Sequence, residues 1–222
     1  MSDQYLLASS LTVDPQKLRI RFGSIVSVEN DRTCTVSIAG MATSVAKVKY
    51  LSSPPRPNSS VILITDGQDL FVLDHVAAAS NSLATTATRS TDQTLTNATD
   101  TAIVFDGSNG DGFSVWAASP NADRLTVPIT GRYIAVGNVS FATNATGLRS
   151  VWVEKNGSTT IGRTNQLSVG GGSPTIISLT ATAASLTKAD YLRLMVSQNS
   201  GGNLNVSGGT VYPTFSLIYL GP

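Results

Sequence analysis

Imidazole and thiol chemistry in this chain must draw on a single histidine, His75, and a single cysteine, Cys34. A nucleophile activated by imidazole would need His75, and the adjacent Asp74 cannot orient that ring while the chain runs extended. One His with one Cys does not build a zinc site within one chain; three copies of His75 meeting on a three-fold axis could. Cys34 alternates with Val36 and Ile38, which marks it as a small core residue, and alone it makes no intrachain disulfide. Nothing here depends on an oxidising compartment.

The remaining chemistry-bearing residues are equally sparse. Asp106, Asn109 and Asp111 sit in a glycine-rich stretch, but their spacing misses the helix-loop-helix calcium motif and no Glu closes it, so a hairpin loop is expected. Asp100, Asp123 and Glu154 form no pair at a spacing that glycoside hydrolysis would use. Gly170-Gly171-Gly172 lacks the Lys-Ser/Thr and following helix of a phosphate loop and reads as a connection. Trp116, Trp152, Tyr133 and Tyr191 could line a sugar groove, yet at 6% aromatic content most are needed in the core. The expectation is a non-enzyme with no cofactor and no metal.

In the chain that carries these residues, charged side chains make up 13% of 222 positions, about half the usual share. Ser, Thr, Asn, Gly and Ala fill the difference, a surface that suits extracellular-type or virion β proteins. A net charge of +1 supplies no field to recruit nucleic acid or an anionic membrane. Lys47 with Lys49, and Arg19 with Arg21, read as solvated strand faces. The N-terminal residues lack the basic and apolar regions of a secretory signal, and no window has the length of a membrane span. No membrane insertion is expected.

Two domains are expected. Residues 1–18 carry weak apolar spacing (Tyr5, Leu6, Leu7, Leu11) and a Val13-Asp14-Pro15 break, and read as an N-terminal arm. Residues 19–75 alternate apolar and polar in five short runs, with Ser52-Ser53-Pro54-Pro55-Arg56-Pro57 unable to continue any ladder, which suggests a small closed barrel. Residues 76–100, dominated by Ala, Ser, Thr and Asn, read as a linker.

Residues 101–222 return to period two. Ile103–Phe105 and Phe113–Ala117 flank a turn-rich segment. Arg124–Phe141 holds the strongest pattern: Leu125, Val127 and Ile129 alternate, Thr130-Gly131-Arg132 punctuates, and Tyr133, Ala135, Gly137, Val139 and Phe141 share one face, reading as two antiparallel strands. Asn156-Gly157 is the strongest hairpin signal, since both central positions of that turn need positive φ. With strands following at Ile177–Ala183, Tyr191–Ser197 and Phe215–Leu220 and no helical period, the segment reads as an antiparallel two-sheet jelly roll.

Two resemblances follow. Phe22-Gly23-Ser24-Ile25-Val26-Ser27-Val28, Thr35 to Gly40, Tyr50-Leu51 and the Val61–Ile64 to Phe71–Leu73 hairpin resemble the OB-like barrels of bacteriophage tail and baseplate proteins. Gly131-x-Tyr133, the strand ending in Asn156-Gly157, Leu186-x-x-x-Asp190-x-Leu192-x-Leu194-x-Val196 and the terminal strand from Phe215 resemble the complement globular head and tumour necrosis factor fold. That family has Gly before the Asp where this chain has Ala189. The resemblance implies a homotrimer, and a last strand apolar on both faces fits one face on the other sheet and one on a subunit.

Together these give an all-β, trimeric virion structural protein assembled in a host cytoplasm. Its barrel would dock on other virion proteins, and its head would bind a host-surface glycan or protein as a minor tail or tail-tip component. Capsid decoration is the alternative. Host contacts are expected in loops, at Asn109, Asp111, Asn144, Thr146, Asn199 and Asn203, because loops on rigid β scaffolds carry function.

Overall fold

A computed structural model of the chain describes residues 19–51, 54–65, 69–76, 83–179, 182–209 and 213–222, the side chains of His75 and Thr182 excepted. The arm over 1–18 lies outside the described residues. The chain divides into two compact units, Met1–Asn81 and Ser82–Pro222.

In the first unit, β1 (Arg19–Val28), β2 (Thr33–Ile38), β3 (Val45–Tyr50), β4 (Ser60–Thr65) and β5 (Leu70–His75) close into a five-stranded barrel in the order β1-β2-β3-β5-β4. Neighbours run antiparallel except β3 with β5, which are parallel. β1 pairs with β4 over Arg19–Ser24 and with β2 over Gly23–Val28, and β3 meets β5 at Lys49↔Phe71 and Tyr50↔Val72 to close the ring. Ile25, Val36, Val48, Val61, Leu63 and Val72 fill the interior. Cys34 is buried with them, its thiol 3.4 Å from the Val48 carbonyl. Burial, with the nearby Glu29 charge, pushes that thiol up to about 12, which keeps it a packing group rather than a nucleophile.

The second unit is a two-sheet sandwich. Its strands are β6 (Ala84–Thr88), β7 (Gln93–Leu95), β8 (Thr101–Ala102), β9 (Gly107–Asn109), β10 (Leu125–Thr126), β11 (Gly131–Phe141), β12 (Leu148–Lys155), β13 (Thr159–Leu167), β14 (Thr175–Ser178), β15 (Thr182–Leu186), β16 (Tyr191–Gln198), β17 (Leu204–Val206) and β18 (Thr214–Gly221). The wide sheet runs β7-β17-β11-β18-β6-β9, with β14 and β15 also on β11; the narrow sheet runs β10-β16-β12-β13, with β8 on β16. The chain crosses repeatedly from one sheet to the other, at β10 to β11, β11 to β12, β13 to β14, β15 to β16 and β16 to β17, as in a jelly roll.

The linker expected over 76–100 does not hold from Leu83 onward. Leu83, Thr85, Ala87 and Leu95 are buried, and β6 pairs with β18 from Ala84↔Ile218 to Thr88↔Thr214. Thr and Ala are small enough for a sheet facing a tightly packed partner, and their alternation carries little hydrophobic contrast. Residues 77–82 of that stretch lie outside the described residues.

The expected strand pair about Thr130-Gly131-Arg132 is not a hairpin. Leu125–Thr126 pairs with β16 in the narrow sheet, while β11 pairs in the wide one. Val127-Pro128-Ile129 crosses between them, and the Tyr133 hydroxyl donates 2.6 Å to the Ile129 carbonyl to fix the corner. Ile103–Phe105 and Phe113–Ala117 are not strands: Phe113 lies in a turn, Ser114 has a φ of 54°, and Ile103, Phe105, Phe113 and Val115 are buried as anchors. The turn expected between them contains β9. The run through Ile177 is split into β14 and β15, both on β11.

The Asn156-Gly157 turn forms as expected, with φ of 52° and 74° and the Ser158 amide bonding the Lys155 carbonyl at 3.2 Å. Asp190 ties this turn to its neighbour. Its carboxylate accepts from Asn156 Nδ2 and the Thr187 amide, both at 2.8 Å, and pairs with Lys155 at 2.7 Å. Burial resists ionisation of Asp190, but Lys155, Asn156 and the Thr187 amide outweigh it and hold the carboxyl below its ordinary range.

Ala189, standing where the resembled family has Gly, has a φ of 74°. A left-handed conformation costs a residue with a Cβ about 1–2 kcal/mol, partly offset by the backbone entropy glycine loses on folding. Ala189→Gly is therefore expected to raise stability by up to about 1 kcal/mol, read as a higher midpoint in chemical denaturation of the full chain.

Candidate functional site

β11 runs from one end of the sandwich, where the chain enters at Leu83 and Gly221 pairs Arg132, to the other, where Phe141 meets Thr175 and Val206. Three loops gather at this far end: 96–100, 142–147 and 199–203. The described hydrogen bonds join them into one surface.

Arg149 is the base of that surface. The register that points Val151 and Val153 into the core points Arg149 inward as well, and it has no exposed surface. Its guanidinium donates to the backbone carbonyls of Thr146 at 2.9 Å, Asn144 at 3.1 Å and Leu148 at 3.2 Å. Nε is buried without a partner. Desolvation lowers the pKa of this group from its ordinary value, and the three carbonyl dipoles are what keep the cation in place.

Above it, Asn144 Oδ1 accepts from the Thr146 amide at 2.8 Å, an Asx turn. Gly147 turns left-handed with φ of 83°, and a Cβ there would lie 2.3 Å from the Asn199 carbonyl. The two loops can touch because that position is glycine. Asn199 Oδ1 accepts from the Leu148 amide. Gln198, almost wholly buried, donates to the Gly202 carbonyl at 2.8 Å and accepts from the Ser200 amide at 2.7 Å. The third loop joins through the Ala98 amide on the Gln198 carbonyl, 2.7 Å, and the Gly201 amide on Asn97 Oδ1, 2.9 Å.

Of the six expected contact residues, the structure brings four together. Thr146, Asn199 and Asn203 are exposed on this surface and Asn144 is half-buried at its base. Asn109 and Asp111 do not belong with them. Asn109 pairs with Thr86 in β9, and Gly110 lies against the Ala84 carbonyl, at the end where the chain enters. Asp111 is also not free to bind: its carboxylate accepts from the Val115 amide at 2.6 Å, the Trp116 amide at 3.1 Å and Thr85 Oγ1 at 3.2 Å. It organises its own loop. Among the described residues no three His, Cys, Asp or Glu side chains group as metal ligands.

Sequence reasoning passed over Arg149 and Gln198. For Arg149 a signal existed, since period two puts it on the same face as Val151 and Val153. The exposed chemistry of the far end is amide, hydroxyl and backbone, with Asp100 at its edge. Such a surface can recognise neutral polar groups by hydrogen bonding.

No protein-family profile and no curated protein matches the chain. Solved structures do. Eiger TNF from S. frugiperda aligns at 16% identity over 63% of this chain and 92% of that one, with a TM-score of 0.47. Murine APRIL at pH 8.5 aligns at 14% identity over 63% of this chain and 98% of that one, with a TM-score of 0.46. The likeness is slight. The architecture stands on the strand pairings, which are its own.

Replacing Arg149 tests what holds the far end. In Arg149→Met the desolvated charge is lost along with three donors, so overall stability should stay within about 1 kcal/mol of the parent, as for many buried charges exchanged for apolar groups. The amides of 144–148 should exchange with solvent at least about tenfold faster by hydrogen-deuterium exchange. Unchanged protection there would show that the loop does not depend on the guanidinium.

Proposed function

We propose that this chain is a bacteriophage virion structural protein, a minor tail or tail-tip component. Its sandwich forms a homotrimer and presents the far-end loops to a host-surface glycan or protein. Its N-terminal barrel, of OB type by the order β1-β2-β3-β5-β4 with β3 and β5 parallel, docks on other virion proteins. The role is assembly and adhesion without turnover.

One observation carries the reading. Across β6, β11, β14, β15 and β18 the sequence holds a single charged residue, Arg132, whereas β12, β13 and β16 hold Arg149, Glu154, Lys155, Arg163 and Arg193. The outward side of the wide sheet exposes Ile176, Ile218 and Leu220, with Ile134 and Val136 half-buried among small residues. Depletion of charge on a flat, partly apolar face is the mark of an interface centre. Copies packed through that face leave the strand ends free. Three far ends then point the same way, and three weak polar sites on one base gain attachment strength by avidity.

The reading is tested on the particle. An antibody raised against residues 83–222 is expected to label the tail tip of virions by electron microscopy. Label spread over the head would replace the adhesin with a capsid decoration protein, and no label on virions would remove the reading altogether.

A further inference from the structure

The first strand of the barrel outruns its neighbour. β1 pairs with β4 from Arg19 but with β2 only from Gly23, so its opening residues have a ladder on one side alone. The Phe22 carbonyl, which accepts from the Ala39 amide at 3.0 Å, faces the β2 side. Two residues earlier the strand faces the same way, so the amide and carbonyl of Ile20 point to where β2 has already ended. Open backbone groups of this kind are a template for another strand. The overhang also accounts for the burial pattern: Arg21 lies opposite the wholly buried Leu63, yet is itself exposed.

The two faces of the overhang differ in chemistry. Ile20 (64% exposed) and Phe22 (58% exposed) stand on the outward face, Ile20 in a row with Ile64 and Phe71, and Phe22 beside Ile62. Arg19 and Arg21 share the other face, and among the described residues neither has an ion-pair partner. Beside Phe22 the outward face deepens into an uncharged groove of about 360 Å³ lined by Ser24, Ser37, Ala39, Ser60 and Val76.

We propose that this edge takes up an extended segment of a partner protein in which acidic and apolar residues alternate. The proposal rests on the reading that the barrel docks on other virion proteins, and it names the surface and the chemistry of that docking. Backbone bonds to Ile20 position the segment, its acidic side chains meet Arg19 and Arg21, and its apolar ones lengthen the rows begun by Ile20 and Phe22. Ala39 occupies the next place in the sheet, so the segment leaves the ladder at Phe22, where the groove receives an apolar side chain. A second copy does not fit this edge. Paired edge to edge, its arginines would fall opposite Arg19 and Arg21 or, one register along, opposite Ile20 and Phe22. No described strand of this chain alternates acidic with apolar residues, so the segment comes from a different protein.

Fluorescence anisotropy with the full chain tests this. A fluorescent synthetic peptide alternating glutamate with isoleucine is expected to bind saturably, and Arg19→Glu/Arg21→Glu to weaken that binding at least about tenfold. The same peptide with its backbone amides methylated lacks the donors of a strand, and should bind the parent chain at least about tenfold more weakly. No saturable binding, equal binding by the arginine variant or by the methylated peptide, or equal binding of a peptide alternating lysine with isoleucine would each overturn the proposal. The readout needs no particle. Peptide binding by a protein that is not found on virions would leave this site standing and remove the virion reading, and labelled virions without peptide binding would do the reverse.

Discussion

The second unit depends on the contact between Gly137 and Leu194. β11 presents Tyr133, Ala135, Val139 and Phe141 to the narrow sheet, with a gap at Gly137; a Cβ there would stand 2.5 Å from Leu194 Cδ1. Leu194 fills that gap from β16, and the two sheets close around it. Burial follows on both sides, with Val151, Val153 and Val196 wholly enclosed. Once β11 is fixed in this way, β18, β14 and β15 are fixed by pairing to it, and so is which face of the wide sheet remains for water or for another copy.

The same constraint explains the polar far end. Inward parity along β12 carries Arg149 into the core beside the valines, where burying a cation is costly unless its protons are satisfied. The Asn144 and Thr146 carbonyls of the 142–147 loop, with that of Leu148, satisfy its two terminal nitrogens and leave only Nε unpaired. A group that a purely apolar core would exclude therefore sets the shape of a surface loop. Asn199 and Gln198 extend that order to the neighbouring loops, so the expected contact residues Asn144, Thr146, Asn199 and Asn203 stand on a supported platform.

Much of this was legible in the sequence. The five barrel strands, the Asn156-Gly157 turn and the long alternation from Tyr133 to Phe141 follow from periodicity and turn residues. Period two reveals a strand but not its partner, which is why Leu125 seemed to belong in a hairpin with β11 when it pairs with Leu192. β6 was hidden because its inward residues are Thr85 and Ala87, indistinguishable by composition from a flexible tract. Asp111 looked available because a carboxylate that caps its own loop has the same sequence signature as one open to solvent. The proposed trimeric, virion-borne role rests on resemblance and on the charge-poor outer face of the wide sheet.

The most direct test of that face is the mass of the full chain in solution by sedimentation velocity, together with Ile218→Lys at its centre. The account predicts a species of three chains, each of 23.1 kDa, reduced to monomer by the lysine with the fold intact by circular dichroism. A parent chain that sediments as a monomer at micromolar concentration, or a lysine variant that remains a trimer, would contradict it.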